Sequence, residues 1–433
     1  MRMRSTFVLL QILVGAAALG SDWPHWRGPN FDGSSSETGL PVRWSVTDNV
    51  AWKAPMPGPG ATTPIVVGEN VFVASIDTAG ARVVAMCLGR ADGGVRWSHE
   101  IGPDRKFPRN TMVACSPTSD GKRVFFMFSD GTIAGFEVDG KPLWKQRIHE
   151  HADLAIQFGY TCSPLLVQDR LIVQVLQNPK QVYRHFKHNP QAPRESFLLA
   201  LDPATGREVY RHVRQAQDAV DESFESYASP VLRKQGDRQE LLVVGGDCIS
   251  AHDPATGKEH WRWGSYNPER IRIWRQVAGV TPGDGVICVP LPRGTATVGI
   301  EPVGGTPQTR PALWRLDDVN PDVCYPAWYQ GHFYLLDGDK RTLTKVESRT
   351  GRKVWSGALT DQGVIRASPI AADGRIYTIS ERGEVVIVEA GGETFKVLER
   401  IQMGEPVCQG SIAIACGQLF IRTGQNVYCI GKR

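Results

Sequence analysis

Eleven residues of this chain, Ala251-His-Asp253-Pro-Ala-Thr256-Gly257-Lys-Glu-His-Trp261, recur almost unchanged as Ala200-Leu-Asp202-Pro-Ala-Thr205-Gly206-Arg-Glu-Val-Tyr210. They recur more loosely as Glu347-Ser-Arg-Thr350-Gly351-Arg-Lys-Val-Trp355. Each copy reads as a strand ending near an acidic residue or its equivalent, a tight turn at Thr-Gly, and a second strand carrying a large aromatic four residues past the glycine. Glycine suits the turn because it adopts φ > 0 without a Cβ clash. The aromatic stands at a fixed reach from that turn, so a stacked neighbouring copy can cover it. Repetition at this period constrains the fold more than any single residue does.

The copies sit inside longer units of four short strands. A Ser-Pro-led apolar strand comes first, at Thr63-Pro64, Ser116-Pro117, Ser163-Pro164, Ser229-Pro230, Tyr325-Pro326, Ser368-Pro369 and Ser411-Ile412, with a degenerate start near Val277–Val280. The aromatic fourth-strand markers are Trp52, Trp97, Trp144, Tyr210, Trp261, Trp314 and Trp355, with Phe395 or Val397 in the seventh unit. Trp52 precedes any start, and the last unit, 410–430, shows three strands without a fourth. The strand around Asn49–Lys53 is therefore expected to complete the last unit and close a ring. The fold class that follows is all-β: an eight-bladed β-propeller of four-stranded blades, with the last blade closed by an N-terminal strand. Forty-one per cent apolar residues supply the core. Burying one indole removes about 150–250 Å² from water, which sets an upper bound of about 4–6 kcal/mol per unit.

The expected domains are a signal peptide at 1–20, an N-terminal extension at 21–43 and the propeller at 44–433. Arg2 and Arg4 precede an apolar run from Phe7 to Leu19 that is too short for a membrane span and is followed by small residues. A periplasmic or secreted protein is expected, with no transmembrane segment after cleavage. The first cysteine is Cys87, so a lipid anchor is not expected. Lys plus Arg exceed Asp plus Glu by only four, and two of those arginines lie in the leader, which argues against a nucleic-acid partner. The nine cysteines cannot all pair within the chain. Cys115, Cys162 and Cys324 occupy a repeat slot filled elsewhere by Thr62, Ala228 and Ala367, and read as packing thiols.

The pattern Ala-x-Asp-x-x-Thr-Gly-x-x-x-Trp resembles the tryptophan-docking repeat of pyrroloquinoline-quinone (PQQ) enzymes. The mature chain resembles bacterial exported PQQ-like repeat propellers. Its opening Trp23-Pro-x-Trp26-Arg27-Gly28-Pro29, with Arg109-Asn110 ahead of Cys115-Ser-Pro117, is similar to a subgroup of these. The resemblance covers the whole mature chain and implies architecture; enzymes and non-enzymatic assembly factors share it. A quinoprotein dehydrogenase would need Ca²⁺ held by carboxylate and amide oxygens, a carboxylate base, a flat aromatic under the quinone and basic groups for its carboxylates. The alcohol dehydrogenases of this resemblance usually add a disulfide between adjacent cysteines, yet this chain has no Cys-Cys and no Cys-x-x-Cys-His for haem. No cofactor is therefore expected; PQQ and Ca²⁺ stay possible without motif support.

Strand order places the fourth-to-first links and second-to-third loops on one face, called upper here. Long connections gather there: 102–114, 146–161, 212–228, 264–278 and the insertion Gln177–Ser196. Lengthening one face of a ring suggests that this face binds. The residues expected to crowd the channel mouth as ligand-binding candidates are Arg109, Asn110, Tyr160, Glu222, Glu225, Arg275, Asp322 and Arg366. Guanidinium forks suit carboxylates, although rim charges can equally pair with one another. His185-x-x-His188 in the insertion, with His149 and His151 nearby, has ligand-type spacing but is flanked by cations, so no metal and no catalytic residue is assigned. The insertion is expected to lie outside the blades, leaving stability nearly unchanged on removal. Two readings result. One is a non-catalytic exported scaffold that binds an unknown protein or small polar ligand through the long-loop face. The alternative is a PQQ/Ca-dependent alcohol or sugar dehydrogenase with a non-standard site, so enzymatic activity is left open, leaning to none.

Overall fold

A computed structural model describes residues 21–431 apart from 187, 217, 237 and 303–310; the signal peptide expected at 1–20 lies outside the described residues. The chain forms eight four-stranded sheets arranged in a ring, a β-propeller with almost no helix. Blades 1 to 7 span 65–103, 118–147, 165–213, 231–264, 281–316, 327–358 and 370–402. Blade 8 takes Ala413–Ala415, Gln418–Arg422 and Asn426–Ile430 from the C-terminal end, and its outermost strand, Val50–Pro55, from the N-terminal side. That strand runs antiparallel to the last one, with Trp52 opposite Cys429 and Lys53 opposite Tyr428. The clasp expected from the strand count is therefore present. Short turns join first to second strands and, outside blade 5, third to fourth strands on the lower face; blade 5 has a long connection there, 301–313, and the other long connections occupy the upper face.

Five of the repeated aromatics hold neighbouring blades together through a specific contact. The indole N–H of Trp52 donates to Arg90 O at 2.7 Å, Trp97 to Val138 O at 3.0 Å, Trp144 to Pro203 O at 2.9 Å and Trp314 to Ser348 O at 2.9 Å. The Tyr210 hydroxyl donates to Pro254 O at 3.0 Å. Every acceptor lies in the third-to-fourth turn of the following blade, beside the glycine of the motif. A Cβ added to Gly140 would meet the Trp97 ring at 2.6 Å, and one on Gly206 the Trp144 ring at 2.7 Å. The turn thus demands glycine for room as well as for its positive φ. In the seventh unit Phe395 packs back onto Trp355, with ring centroids 5.4 Å apart, rather than forward onto blade 8.

A belt of hydrogen bonds encircles the channel at the start of the innermost strands. The Thr63 amide donates to Ser116 Oγ (2.9 Å), Ser116 to Ser163 Oγ (2.9 Å) and Ser163 to Ser229 Oγ (2.8 Å). The Ser229 amide donates to the Tyr325 hydroxyl (2.5 Å), Tyr325 to Ser368 Oγ (3.0 Å), Ser368 to Ser411 Oγ (3.0 Å) and Ser411 back to Thr63 Oγ1 (2.9 Å). Blade 5 has no hydroxyl at this place. It carries Gly279, where a Cβ would fall 2.1 Å from Tyr325 Cε1, so the tyrosine ring passes over it to reach blade 4. The Ser-Pro starts are explained by this ring, and the degenerate start by the tyrosine that spans it. Cys115, Cys162 and Cys324, one residue before, are buried and unpaired, with thiols turned to backbone carbonyls. Burial pushes Cys162 and Cys324 up to about 12, as suits inert packing groups.

The N-terminal extension closes the lower end of the channel. Trp23, fully buried, exchanges backbone hydrogen bonds with Val66 of blade 1, and Pro24 O accepts from Ser119 of blade 2. Asp32 O accepts from Trp328 of blade 6, and Gly33 and Ser35 pair with Ala371 of blade 7. The Glu37 carboxylate accepts from Gly417 of blade 8. At the centre, the buried Arg27 guanidinium donates to the carbonyls of Pro326, Pro369 and Asp32. These prolines follow belt residues, so the arginine serves carbonyls at the starts of the inner strands, where Pro326 O also accepts from Thr281 Oγ1 at 2.7 Å. Burial lowers its pKa to about 10, with Asp32 opposing, so it stays charged at neutral pH.

Candidate functional site

With its lower end plugged, the channel becomes a cup that opens on the upper face and encloses about 610 Å³. Its floor is Trp26 of the plug, edge-on to Tyr325 at 4.6 Å, together with the hydroxyl belt. The wall over blades 1 to 4 carries Arg109, Phe158, Tyr227 and Arg275; the wall over blades 5 to 8 carries Arg293, Asp322, Asp339, Arg366, Glu381 and Gln409. One half is thus aromatic and cationic, and the other mixed and acidic.

Five of the eight sequence candidates line this cup: Arg109, Asn110, Arg275, Asp322 and Arg366. The other three do not. Tyr160 is fully buried and donates to Gln174 O at 2.5 Å, because its ring fills the space between blades 2 and 3. Glu225 is also fully buried and accepts from Tyr183 Oη at 2.7 Å, from the Tyr227 hydroxyl and from Gln157 N at 3.1 Å. Burial raises its carboxyl pKa, and the two tyrosine donors oppose that rise. Glu222 lies outside the lining and binds Arg275 at 2.5 Å. Sequence position alone did not separate residues that face the channel from those that turn between blades.

Arg293, Asp339 and Glu381, absent from the sequence candidates, come from the second-to-third loops of blades 5, 6 and 7. Those loops share the upper face with the links, and that was the available signal. Arg366 pairs with Asp339 at 3.0 Å, and the Arg293 amide donates to Asp322 Oδ1 at 3.0 Å. Gln409 donates to Glu381 Oε1 at 2.7 Å. Arg109 lies 5.9 Å and Arg275 4.8 Å from the Phe158 ring centroid. The Asn110 amide donates to Phe158 O at 3.0 Å and accepts from Thr111 N at 2.8 Å.

The insertion is built into the body, which corrects the expectation that it lies apart. Gln177 and Asn178 are buried, and the Gln177 amide binds Asp153 O, Glu195 O and Ala155 N. Asp153 accepts from His188 Nδ1 at 2.7 Å, Arg194 Nη2 at 2.5 Å and Asn189 N at 2.9 Å. Burial works against the Asp153 carboxylate, but these donors outweigh it and hold its pKa below the ordinary value. His185 turns elsewhere, to Ile156 O at 2.9 Å, so the two histidines of the motif do not converge. Among the described residues, His212, His252 and Glu259 bring ligand-type atoms within 4.8 Å of one another. Both His252 nitrogens are engaged by Ser250 Oγ and Gly257 O, and Glu259 is bound through both oxygens by Arg262. This cluster is a hydrogen-bonded group of blade 4 against which the His212 ring of blade 3 packs, with centroids 5.3 Å apart at His252.

Comparison with solved structures gives strong likeness of fold at low identity. A europium-containing methanol dehydrogenase matches with TM-score 0.67 and 13% identity over 94% of this chain and 90% of that one. BamB from Moraxella catarrhalis matches with TM-score 0.58 and 14% identity over 90% and 99%. The quinohemoprotein alcohol dehydrogenase from Comamonas testosteroni matches with TM-score 0.63 and 13% identity over 95% and 81%. No curated protein sequence matches the chain. Among the described residues no helix is long and apolar enough to cross a membrane. The family model described as outer membrane protein assembly factor BamB matches residues 34–182, 88–279 and 245–430, nearly the whole ring, and the chain belongs to that family of PQQ-like repeat propellers.

Proposed function

We propose that this protein is a non-catalytic, exported propeller that binds a partner or small polar ligand through its upper face. The observation that carries this reading is the cup: plugged below, open above, and lined by side chains that keep binding capacity. What counts against a quinone enzyme is the state of the oxygens such a site would use. The Asn110 amide is spent on the backbone, Glu222 on Arg275, and Glu225 on two tyrosines out of reach of the cup. Asp322 is the one such candidate left, and the wall acids Asp339 and Glu381 are engaged by Arg366 and Gln409, short of the 6–8 oxygens that a Ca²⁺ ion takes. Phe158 already carries two guanidinium groups near its ring, which leaves no bare aromatic plane there. The assembly-factor description of the family model supports a binding role at the level of the family. Export is supported by the basic-then-apolar leader.

The test incubates purified mature protein with PQQ and Ca²⁺, removes free quinone, and records the quinone band and dye reduction with alcohols and sugars. Neither stoichiometric quinone nor turnover is expected. Stoichiometric retention with dye reduction overturns the reading. Fractionation of cells carrying the full-length chain checks export, with the mature form expected outside the cytoplasm.

A further inference from the structure

The belt hydroxyls have a second property. Each of Thr63, Ser116, Ser163, Ser229, Ser368 and Ser411 accepts a hydrogen bond from a neighbouring blade, and all six line the cup while buried. Among the described residues none of the Thr63, Ser116, Ser163, Ser368 and Ser411 hydroxyls donates to a protein acceptor, whereas the Ser229 hydroxyl also bonds the Tyr325 hydroxyl. A hydroxyl carries one donor beside its acceptor lone pairs, so the floor presents five O–H donors to whatever occupies the cup. Such a floor selects a ligand rich in acceptor oxygens.

The walls add two further requirements. Arg109 and Arg293 face the cup without a carboxylate partner among the described residues, and each is held at positive φ, 57° and 60°. Non-glycine residues in that region are uncommon and gather at ligand clamps. Among the described residues Asp322 and Glu381 accept only from neutral donors, the Arg293 amide and the Gln409 amide. They therefore keep acceptor capacity for hydroxyls and would repel a ligand carrying several negative charges near them. A polyphosphate or a planar tricarboxylate meets the arginines but not the two acids. A neutral sugar meets the acids and the belt but leaves the arginines unused.

We infer that the cup binds a polyhydroxylated carboxylate, a sugar acid of one to three units. Its carboxylate pairs with Arg109 or Arg293, its hydroxyls donate to Asp322 and Glu381, and its ring and hydroxyl oxygens accept from the belt. The volume of about 610 Å³ is that of an ordinary small-ligand site. This inference rests on the reading of the protein as a binding propeller and names the ligand class of that same site.

The experiment is calorimetric titration of the mature protein with digalacturonate, cellobiose and succinate, with PQQ plus Ca²⁺ as a fourth arm. Saturable binding of one digalacturonate is expected, with cellobiose and succinate each weaker by on the order of 10-fold or more, equal to about 1.4 kcal/mol. Arg109→Gln and Arg293→Gln are each expected to weaken digalacturonate by a similar factor, since a charge-assisted contact is lost while both side chains are exposed and, among the described residues, without a carboxylate partner. Asp322→Asn should weaken digalacturonate and cellobiose but not succinate. Absence of saturable digalacturonate binding overturns the inference, as does unchanged affinity in both arginine variants. Succinate binding as tightly at the same arginines also overturns the ligand class, yet leaves the binding reading standing. Tight PQQ with dye reduction removes both.

Discussion

The Tyr325 hydroxyl stands 2.5 Å from the Ser229 amide nitrogen and 3.2 Å from the Ser229 carbonyl oxygen, although the two residues introduce blades 6 and 4. One side chain thereby replaces the link that blade 5 does not supply. Tyr325→Phe should leave the Ser229 amide buried without an acceptor and cost about 1–3 kcal/mol. Urea unfolding followed by tryptophan fluorescence measures this, with the midpoint shifting at unchanged slope. Gly279→Ala should destabilise as well, because its new methyl collides with the same ring.

The clasp is expected to weaken in acid. Glu405 accepts from Asn426 and Tyr428 of the last strand, from Thr423, and from Lys53 of the closing strand. Burial works to raise its pKa, but these donors prevail and bring it from 4.5 down to about 2. A depressed carboxylate pKa contributes stability that is complete above the unfolded value and is lost as pH falls through the folded one. The fall should span from about pH 4.5 to about pH 2. Glu405→Gln should reduce the thermal midpoint at neutral pH and flatten its dependence on acid across that window, read by calorimetry.

Removal of the insertion should now be costly. Deleting 177–196 strips Asp153 of His188, Asn189 and Arg194 and leaves a buried carboxylate without donors. The single change Arg194→Ala isolates the charge pair. With Asp153 buried and Arg194 partly exposed, about 2–3 kcal/mol is expected, between the surface and fully buried cases. A melting temperature equal to that of the parent would refute the structural role.

Trp261→Ala should cost about 3–5 kcal/mol through the cavity it leaves in the cluster shared by blades 4 and 5. The indole also donates to the Glu240 carboxylate at 3.3 Å, which Arg233 and Arg238 continue to neutralise after the change. Guanidinium titration should show one transition at a lower midpoint, since each blade relies on its neighbours.

The ring was legible because its signal is repeated: the Thr-Gly turn, the aromatic four residues later and the Ser-Pro start each encode a contact between blades. The strand count likewise exposed the clasp at Trp52. The plug was not legible, since 21–43 has no strand period and its role depends on backbone groups scattered over five blades. The site was half legible. Link residues such as Arg109 and Arg275 could be placed at the mouth from strand order, while the rotation that turns Tyr160 and Glu225 inward between blades is a packing outcome with no local pattern. Arg293 and Glu381 sit in short second-to-third loops, which carry no signal of length yet reach the same cavity.

The N-terminal plug has a consequence for how the molecule reaches its final form. Its partners include Val66, Ser119, Trp328, Ala371 and Gly417, so no subset of blades offers it a complete seat. The segment 21–43 must wait for residues more than three hundred positions later before it can dock fully. Long-range pairing of this kind is slow, because the loop must close before the contacts reward it. Until Arg27 settles between the carbonyls of Pro326 and Pro369, the ring remains a tube with two mouths, and only the final step of folding turns it into a vessel.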